Sequence, residues 1–187
     1  MRYFKKLVGE NIYLSPASVE DIEKYTEWLN DFGTTDYTGR SGYLYSIEFE
    51  KSYLEKISND KERIFAIIDL KDDKIIGGCG IHDINNINRT ATLGIFIGEI
   101  EERNKGKGTE AIMLLLDYGF NYLNLNSIKL DLMEFNHRAL RCYQKCGFKE
   151  YGRRRKANFI NGKYYDTISM DILAEEFSKT YIKNKNC

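Results

Sequence analysis

The sequence predicts one mixed α/β (α+β) domain: a central β-sheet with antiparallel N-terminal strands, a parallel pair in the middle and helices on both faces. Three observations predict it. Strand-like segments follow one another at 63–70, 75–84 and 91–99, separated by short turns. A long apolar helix from 106 to about 123 then leads to a strand at 127–134, and such a crossover makes the two flanking strands parallel. A last strand pair surrounds the turn signal Asn161-Gly162.

The N-terminal third carries the helices that precede this run of strands. Residues 11–15, NIYLS, predict a short first strand. Ser18 and Asp21 form an S-x-x-D capping box that begins a helix over 19–31. Gly, Thr and Tyr residues predict a loop at 31–45, and the segment 46–58 predicts a second helix.

The C-terminal third completes the sheet. A short helix is predicted at 137–146, where Gly147 is a good residue to end it. Strands at 148–153 and 163–173 follow, and the basic run RRRK at 153–156 is predicted to be a solvated strand end. The domain is predicted to span 1–175, and 176–187 is predicted to be a C-terminal tail that frays.

Composition limits the classes of function. The chain has 187 residues, 42% of them hydrophobic, with 28 basic and 28 acidic side chains, so no global charge indicates a nucleic-acid or membrane partner. Two histidines and cysteines without CxxC spacing predict no metal site and no disulfide framework, and the cytoplasm is the expected compartment. The cysteines are Cys79, Cys142, Cys146 and Cys187.

The stretch EERNKGKGT at 101–109 places charge and glycine directly before the longest helix. The N–H groups at a helix start and the helix dipole favour an anion, and glycine allows the ligand to approach the backbone closely. Arg103, Lys105 and Lys107 add positive charge. A Walker loop would need Gly at the position of Glu101, and a dinucleotide fingerprint would follow the first strand of a doubly wound sheet, so both alternatives are weak.

A second motif lies in LDLMEFNHRALRCYQKCGF at 130–148. Asn136, Ala139, Tyr143, Lys145 and Gly147-Phe148 match the pattern N-x-x-A-x-x-x-Y-x-K-x-G-F. Together with R-x-x-G-x-G upstream, this sequence resembles the GNAT superfamily of N-acetyltransferases over most of its length. It is similar to the RimJ/RimL-type branch, which includes ribosomal-protein acetyltransferases, and to spermidine acetyltransferases.

The resemblance implies acetyl-CoA (CoA) as donor and a GNAT fold whose parallel strands splay apart around the pantetheine arm. The pantetheine would run along Phe96, Ile97 and Gly98, and Asn136 and Tyr143 would also contact the cofactor. The resemblance places the pyrophosphate on the backbone amides of Arg103, Asn104, Lys105, Gly106, Lys107, Gly108 and Thr109.

The same resemblance implies that Tyr143 is the general acid, which suits a phenol of pKa about 10 that meets a departing thiolate. The general base stays open: Asp131 alternates outward beside the expected cleft, and Glu134 and Asp83 also qualify. His82 could line the acceptor cleft, although a structural role is predicted for it, and His137 is predicted to be a surface residue.

The predicted function is transfer of an acetyl group to a primary amine by direct attack in a ternary complex. The acceptor is a small molecule or peptide, such as a protein N-terminus, a polyamine or an amino sugar. A non-catalytic acyl-CoA sensor is the alternative. Segment 31–58 is expected to cover the acceptor by analogy with the family, and a homodimer is a further expectation.

Overall fold

The computed structural model describes residues 3–56 and 62–183. Within these residues, eight strands form a single sheet in the order β1-β2-β3-β4-β5-β6-β8-β7. The strands are β1 Leu7–Val8, β2 Ile12–Pro16, β3 Arg63–Asp69, β4 Ile75–Asn85, β5 Thr90–Ile97, β6 Ser127–Met133, β7 Lys149–Ile160 and β8 Lys163–Leu173. The helices are α1 Ile22–Asn30, α2 Phe32–Thr35, α3 Ile47–Lys56, α4 Lys107–Asp117 and α5 His137–Lys145.

Strand direction follows the prediction. β1 to β5 pair antiparallel in succession, β5 and β6 are parallel, and β8 pairs antiparallel with both β6 and β7. The parallel pair confirms that α4 is a crossover between β5 and β6. Asn161 and Gly162 both have positive φ, 46° and 78°, as the predicted two-residue turn between β7 and β8 requires.

Helices cover both faces of the sheet, as predicted. On one face, Leu114 and Leu115 of α4 pack with Ile128 and Leu130 of β6 in the main core. Apolar residues recur at the helical period along α4 and at every second position along β6. Each element therefore has one apolar face, and the two faces pack together. On the other face, α1 packs its aromatic side chains on β5. None of the helices in the described part of the chain is long and apolar enough to span a membrane.

The N-terminal helices differ from the prediction in detail. Ser18 accepts a hydrogen bond from the Glu20 N–H at 3.1 Å, so the expected capping box with Asp21 is wrong. Asp21 is buried and its carboxylate accepts from the Tyr3 hydroxyl at 2.8 Å, a long-range contact that local spacing does not reveal. The short helix α2 interrupts the predicted loop at 31–45. Residues 57 and 58, the predicted end of α3, lie outside the described residues.

β7 is longer than predicted and runs through the basic residues Arg153 to Lys156. A register irregularity lies between Arg154 and Asn158, where Lys156 has φ of 50°. Arg153 forms ion pairs with Glu150 and Glu134 at 3.5 Å. The basic run therefore lies in the middle of an exposed edge strand rather than at its end.

The C-terminal segment is docked on the domain up to the last described residue. Asp117, at the end of α4, is fully buried, and its carboxylate accepts hydrogen bonds from the N–H groups of Tyr181 and Ile182 at 2.6 and 2.8 Å. The Lys183 N–H donates to the Val8 carbonyl. The predicted fraying therefore does not apply to residues 181–183, and residues 184–187, including Cys187, lie outside the described chain.

Asp117→Ala should lower the free energy of unfolding by about 3 kcal/mol, because it leaves one buried and one half-buried N–H group without acceptors. Urea denaturation measures this loss, and hydrogen exchange should show earlier exposure of residues 181 and 182. The matched control is Asp171→Ala, which removes a carboxylate from the sheet surface. Equal stability of the two variants would show that the tail is not held by Asp117.

Candidate active site

The parallel strands β5 and β6 separate after a short paired stretch. In the paired stretch, Thr90 lies opposite Ser127, Ala91 opposite Ile128 and Thr92 opposite Lys129. Beyond Thr92, β5 continues to Ile97 and pairs with β4, whereas β6 continues to Met133 and pairs with β8. This divergence opens a slot between the two strands, as the resemblance implies for a pantetheine arm.

The register decides which main-chain groups face the slot. The Gly98 N–H donates to the Ile76 carbonyl, and alternate residues of an antiparallel strand direct their groups to opposite sides. Phe96 and Gly98 therefore direct theirs to β4, whereas Ile95 and Ile97 face β6 across the slot. Of the predicted pantetheine residues only Ile97 has its main chain on the open side. The main chain of Ile95, a residue that the sequence did not single out, also faces the slot. The register that decides this direction is not visible in the sequence.

Phe96 and Gly98 have packing roles instead. The Phe96 ring makes edge contacts with Tyr25 and Trp28 at centroid distances of 6.5 and 5.9 Å. A Cβ on Gly98 would lie 2.2 Å from the Trp28 ring, so α1 approaches β5 closely only because residue 98 is glycine. These contacts fix the end of β5 against α1.

Arg103 holds the start of the glycine loop. Its guanidinium donates to the carbonyls of Ile97 and Gly33 at 2.9 and 3.1 Å and to Thr34 Oγ1 at 3.0 Å. Its main-chain N–H donates to the Ile100 carbonyl. The expectation that the Arg103 amide meets a pyrophosphate is therefore not favoured, because that donor is already engaged within the protein.

The next residues, 104–109, offer open donors. Asn104 and Gly106 have positive φ of 63° and 82°, which turns the chain into the first turn of α4. Within the described chain, the N–H groups of these six residues have no hydrogen-bond acceptor. A Cβ on Gly106 would meet nothing within 4 Å, and one on Gly108 only Ile97 at 3.8 Å. Open donors and unfilled space at a helix N-terminus fit an anionic group such as the pyrophosphate of CoA.

The loop lysines contribute less charge than expected. Lys107 pairs with both Asp69 and Glu102, and Lys105 pairs with Glu102 at 3.0 Å. Hydrogen bonds from Lys107 and Lys105 hold the pKa of Glu102 below its usual value. Binding of a phosphate at this loop would therefore depend mainly on backbone N–H groups and the helix dipole.

Thr109 connects the loop to α5. Its Oγ1 lies 3.1 Å from Cys142 Sγ, and its carbonyl is 3.9 Å from Cys146 Sγ. The hydrogen bond from Cys146 lowers the pKa of Cys142 to about 6, although burial opposes this shift. The two thiols, predicted to be small apolar residues, thus make polar contacts with each other and with the start of α4.

Asn136 and Tyr143 lie on α5, on the same face of the sheet as α4. Asn136 Oδ1 caps the helix by accepting from the Ala139 N–H at 3.1 Å, which leaves its amide nitrogen available. Burial raises the pKa of Tyr143, and the neighbouring Cys142 and Cys146 add to this effect. The Tyr143 hydroxyl has no hydrogen-bond partner within the described residues and retains contact with solvent. A phenol in this state is protonated at neutral pH and can donate a proton but cannot accept one.

Of the predicted bases, Asp131 lies on the opposite face, because it alternates with the buried Leu130 and Leu132 along β6. Asp131 is exposed and accepts from Ser169 Oγ at 2.6 Å. Glu134 accepts from the Asp166 N–H at 2.8 Å and pairs with Arg153, so its oxygens are engaged. Asp83 is exposed, with φ of 51°, where the pairing of β4 with β5 is irregular. The slot therefore lies between a face with Asp131 and a face with Tyr143.

Comparison with known proteins agrees with this arrangement. Residues 11–149 match the acetyltransferase (GNAT) domain family. The chain is 32% identical over 177 residues to the probable N-acetyltransferase YjcK of Bacillus subtilis, covering 89% of this chain and 96% of that protein. It is 36% identical over 130 residues to spermidine N(1)-acetyltransferase of Vibrio cholerae, covering 70% and 74%. A crystal structure of the V. cholerae spermidine N-acetyltransferase with CoA and spermine superposes with a TM-score of 0.82 and 31% identity, covering 89% of this chain and 97% of that one.

The splayed strands, the open donors before α4 and these relatives agree: the chain belongs to the GNAT acetyltransferase family and is an acyltransferase that uses acetyl-CoA.

Proposed function

We propose that the protein transfers the acetyl group of acetyl-CoA to a primary amine by direct attack within a ternary complex. The observation that carries this proposal is the slot between β5 and β6, which lies between Asp131 on one face and Tyr143 on the other. An acyl carbon held in the slot is accessible to an amine on one side, while its leaving group meets a phenol on the other.

The roles of the chain's own groups follow from their positions. Acetyl-CoA supplies an activated acyl carbon as a thioester. The N–H groups of residues 104–109 hold its phosphates, and the main chain of Ile95 and Ile97 lies along its pantetheine. The Ile95 N–H is placed to polarise the thioester carbonyl, and the Tyr143 hydroxyl donates a proton to the departing sulfur.

Two-substrate kinetics can distinguish direct attack from a covalent route in which Cys142 carries the acetyl group. The hydrogen bond from Cys146 lowers the pKa of that thiol, and a lowered pKa is typical of nucleophilic cysteines. However, its sulfur contacts Thr109 and Cys146 beside the first turn of α4. Initial rates with both substrates varied should therefore give intersecting lines, and Cys142→Ala should keep most of the activity. Parallel lines together with an acetylated wild-type enzyme would contradict direct attack.

The acceptor face favours a cationic amine. A groove of about 490 Å³ runs along it, lined by Asp83, Thr92, Lys129 and Asp171. Asp131 lies on the same face, because it is two residues beyond Lys129 on β6. Carboxylates outnumber cationic side chains on this face, which favours a positively charged acceptor. Spermidine, for which the V. cholerae relatives are named, is a polyamine and therefore carries positive charge. We therefore place polyamines first among the acceptor classes, ahead of protein N-termini and amino sugars.

An acceptor screen tests this proposal. Acetyl-CoA is incubated with the protein and, in turn, spermidine, N-terminal peptides and amino sugars, and release of free thiol is followed. We expect thiol release with at least one amine and the highest kcat/KM with a polyamine. Tight CoA binding with no thiol release from any class would instead support the acyl-CoA sensor alternative.

Self-association remains part of the proposal. The segment near the acceptor face exposes Leu44 and Phe49, at 90% and 57% of their surface. Phe49 and the exposed Tyr43 both contact Tyr45, and contiguous exposed apolar patches mark protein contact surfaces. They support the expected homodimer.

A further inference from the structure

His82 and Glu62 form a pair that the predicted mechanism does not use. The His82 imidazole, on β4, is mostly buried, and its Nδ1 faces Glu62 Oε2 at 3.6 Å. This carboxylate oxygen is buried and has no hydrogen-bond partner within the described residues. Glu62 directly precedes β3, so the pair is fixed by adjacent strands.

Two glycines give the imidazole its position. Gly80 and Gly94 face each other across β4 and β5. A Cβ on either residue would lie 3.1 Å from His82 Nε2. The ring therefore extends over the surface that side chains at these positions would occupy, and Nε2 lies between β4 and β5.

This position is level with the start of the slot. His82 pairs with Thr92, and Thr92 is the last residue of β5 that pairs with β6. Gly94 is two residues further along β5, and Asp131 is two residues beyond Lys129, the partner of Thr92. His82 Nε2 and Asp131 therefore flank the slot on the same face, opposite Tyr143.

We propose that His82 is the general base of the acetyl transfer and that Glu62 positions its imidazole. The inference rests on the proposed function, because it gives the amine a proton acceptor on the face from which it attacks. Asp131 then attracts the cationic amine rather than taking its proton.

The proton balance is complete without a further reactant. The ammonium acceptor loses one proton to solvent and attacks as the free amine. As the C–N bond forms, His82 Nε2 takes a second proton from the nitrogen. The C–S bond breaks, and the sulfur receives the Tyr143 proton. Solvent then reprotonates Tyr143 and removes the proton from His82, so the net products are the amide, CoA thiol and one proton.

The surroundings keep His82 neutral at pH 7. Burial lowers its pKa below the usual 6.5; Glu62 and Asp83 act in the opposite direction, and Arg40 lowers it further. Tyr53 of α3 faces Glu62 and is itself protonated, because burial raises its pKa. A neutral imidazole whose Nδ1–H is directed to a carboxylate has Nε2 free to accept a proton.

His82→Gln tests the role of the base. We expect kcat to fall by about 100-fold with little change in CoA affinity. The ratio of wild-type to variant kcat/KM cancels the ionisation of the amine. It should be large at pH 8 and approach 1 as pH falls below the pKa of His82, where the wild-type base is protonated. His137→Gln, which alters the chain's other histidine, is the matched control and should show no such effect.

Glu62→Gln tests the positioning role. Loss of the carboxylate should lower the pKa of His82 further. In the Glu62→Gln background, the ratio of kcat/KM with and without His82 should therefore approach 1 only at a lower pH. NMR titration reads the same shift directly, because only two histidine ring signals exist. A wild-type kcat in His82→Gln, or a His82 titration unmoved by Glu62→Gln, overturns the inference. Absence of thiol release from the wild type overturns the proposed function instead, and the NMR titration still decides whether the pair is coupled.

Discussion

Tyr143→Phe should lower kcat by about 100- to 10,000-fold while the affinity for CoA stays within about a factor of two. The hydroxyl is the only group removed, and it makes no hydrogen bond to the described residues. The thiolate must then leave without a proton donor, which affects the chemical step but not the binding of the cofactor. Single-turnover kinetics and calorimetry with CoA measure the two effects separately.

Tyr25→Phe is the matched control for this prediction. Tyr25 is also a deeply buried tyrosine whose hydroxyl lacks a hydrogen-bond partner in the described chain, but it lies on the opposite face of the sheet. Its loss should leave kcat unchanged and raise the free energy of unfolding by about 1 kcal/mol, because a buried unsatisfied hydroxyl is removed. If both variants kept wild-type turnover, Tyr143 would have only a packing role.

Local sequence features predicted several structural elements around the candidate site. The glycine loop before α4, the cap at Asn136 and the turn at Asn161-Gly162 each depend on residues close in sequence, and the structure places them as expected. The order and direction of the strands from β3 to β6 follow from short turns and one long crossover, which are also local properties.

The sequence did not reveal contacts between distant parts of the chain. Arg103 was expected at the phosphate, but its guanidinium reaches Gly33 and Thr34, about seventy residues earlier. The direction of the Ile95 main chain depends on the register between β4 and β5. The sequence likewise does not show that Glu62 lies beside His82. Propensity and spacing do not specify such partners.

Gly108→Asp should raise the KM for acetyl-CoA by about 10- to 100-fold, equivalent to roughly 1.4–2.7 kcal/mol of lost binding. Gly108 is the second residue of α4, and its side-chain position faces open space beside the unpaired N–H groups. A carboxylate there would compete with a pyrophosphate for the same donors and repel it. A negative side chain in the first turn of a helix interacts favourably with the helix dipole. The free energy of unfolding should therefore stay the same or rise by up to about 1 kcal/mol.

Gly108→Asn separates charge from size. Asparagine has the same shape as aspartate without the charge, so its KM should lie much closer to that of the wild type. The difference between the two variants should shrink between about 0.1 and 1 M salt, because the Debye length falls from about 10 to 3 Å. Equal KM values for Gly108→Asp and the wild type would mean that the phosphates of CoA bind away from the start of α4. Because the slot and Tyr143 can act only on an acyl group that this anchor aims at them, that result would also remove the geometric basis for the roles of Tyr143 and His82.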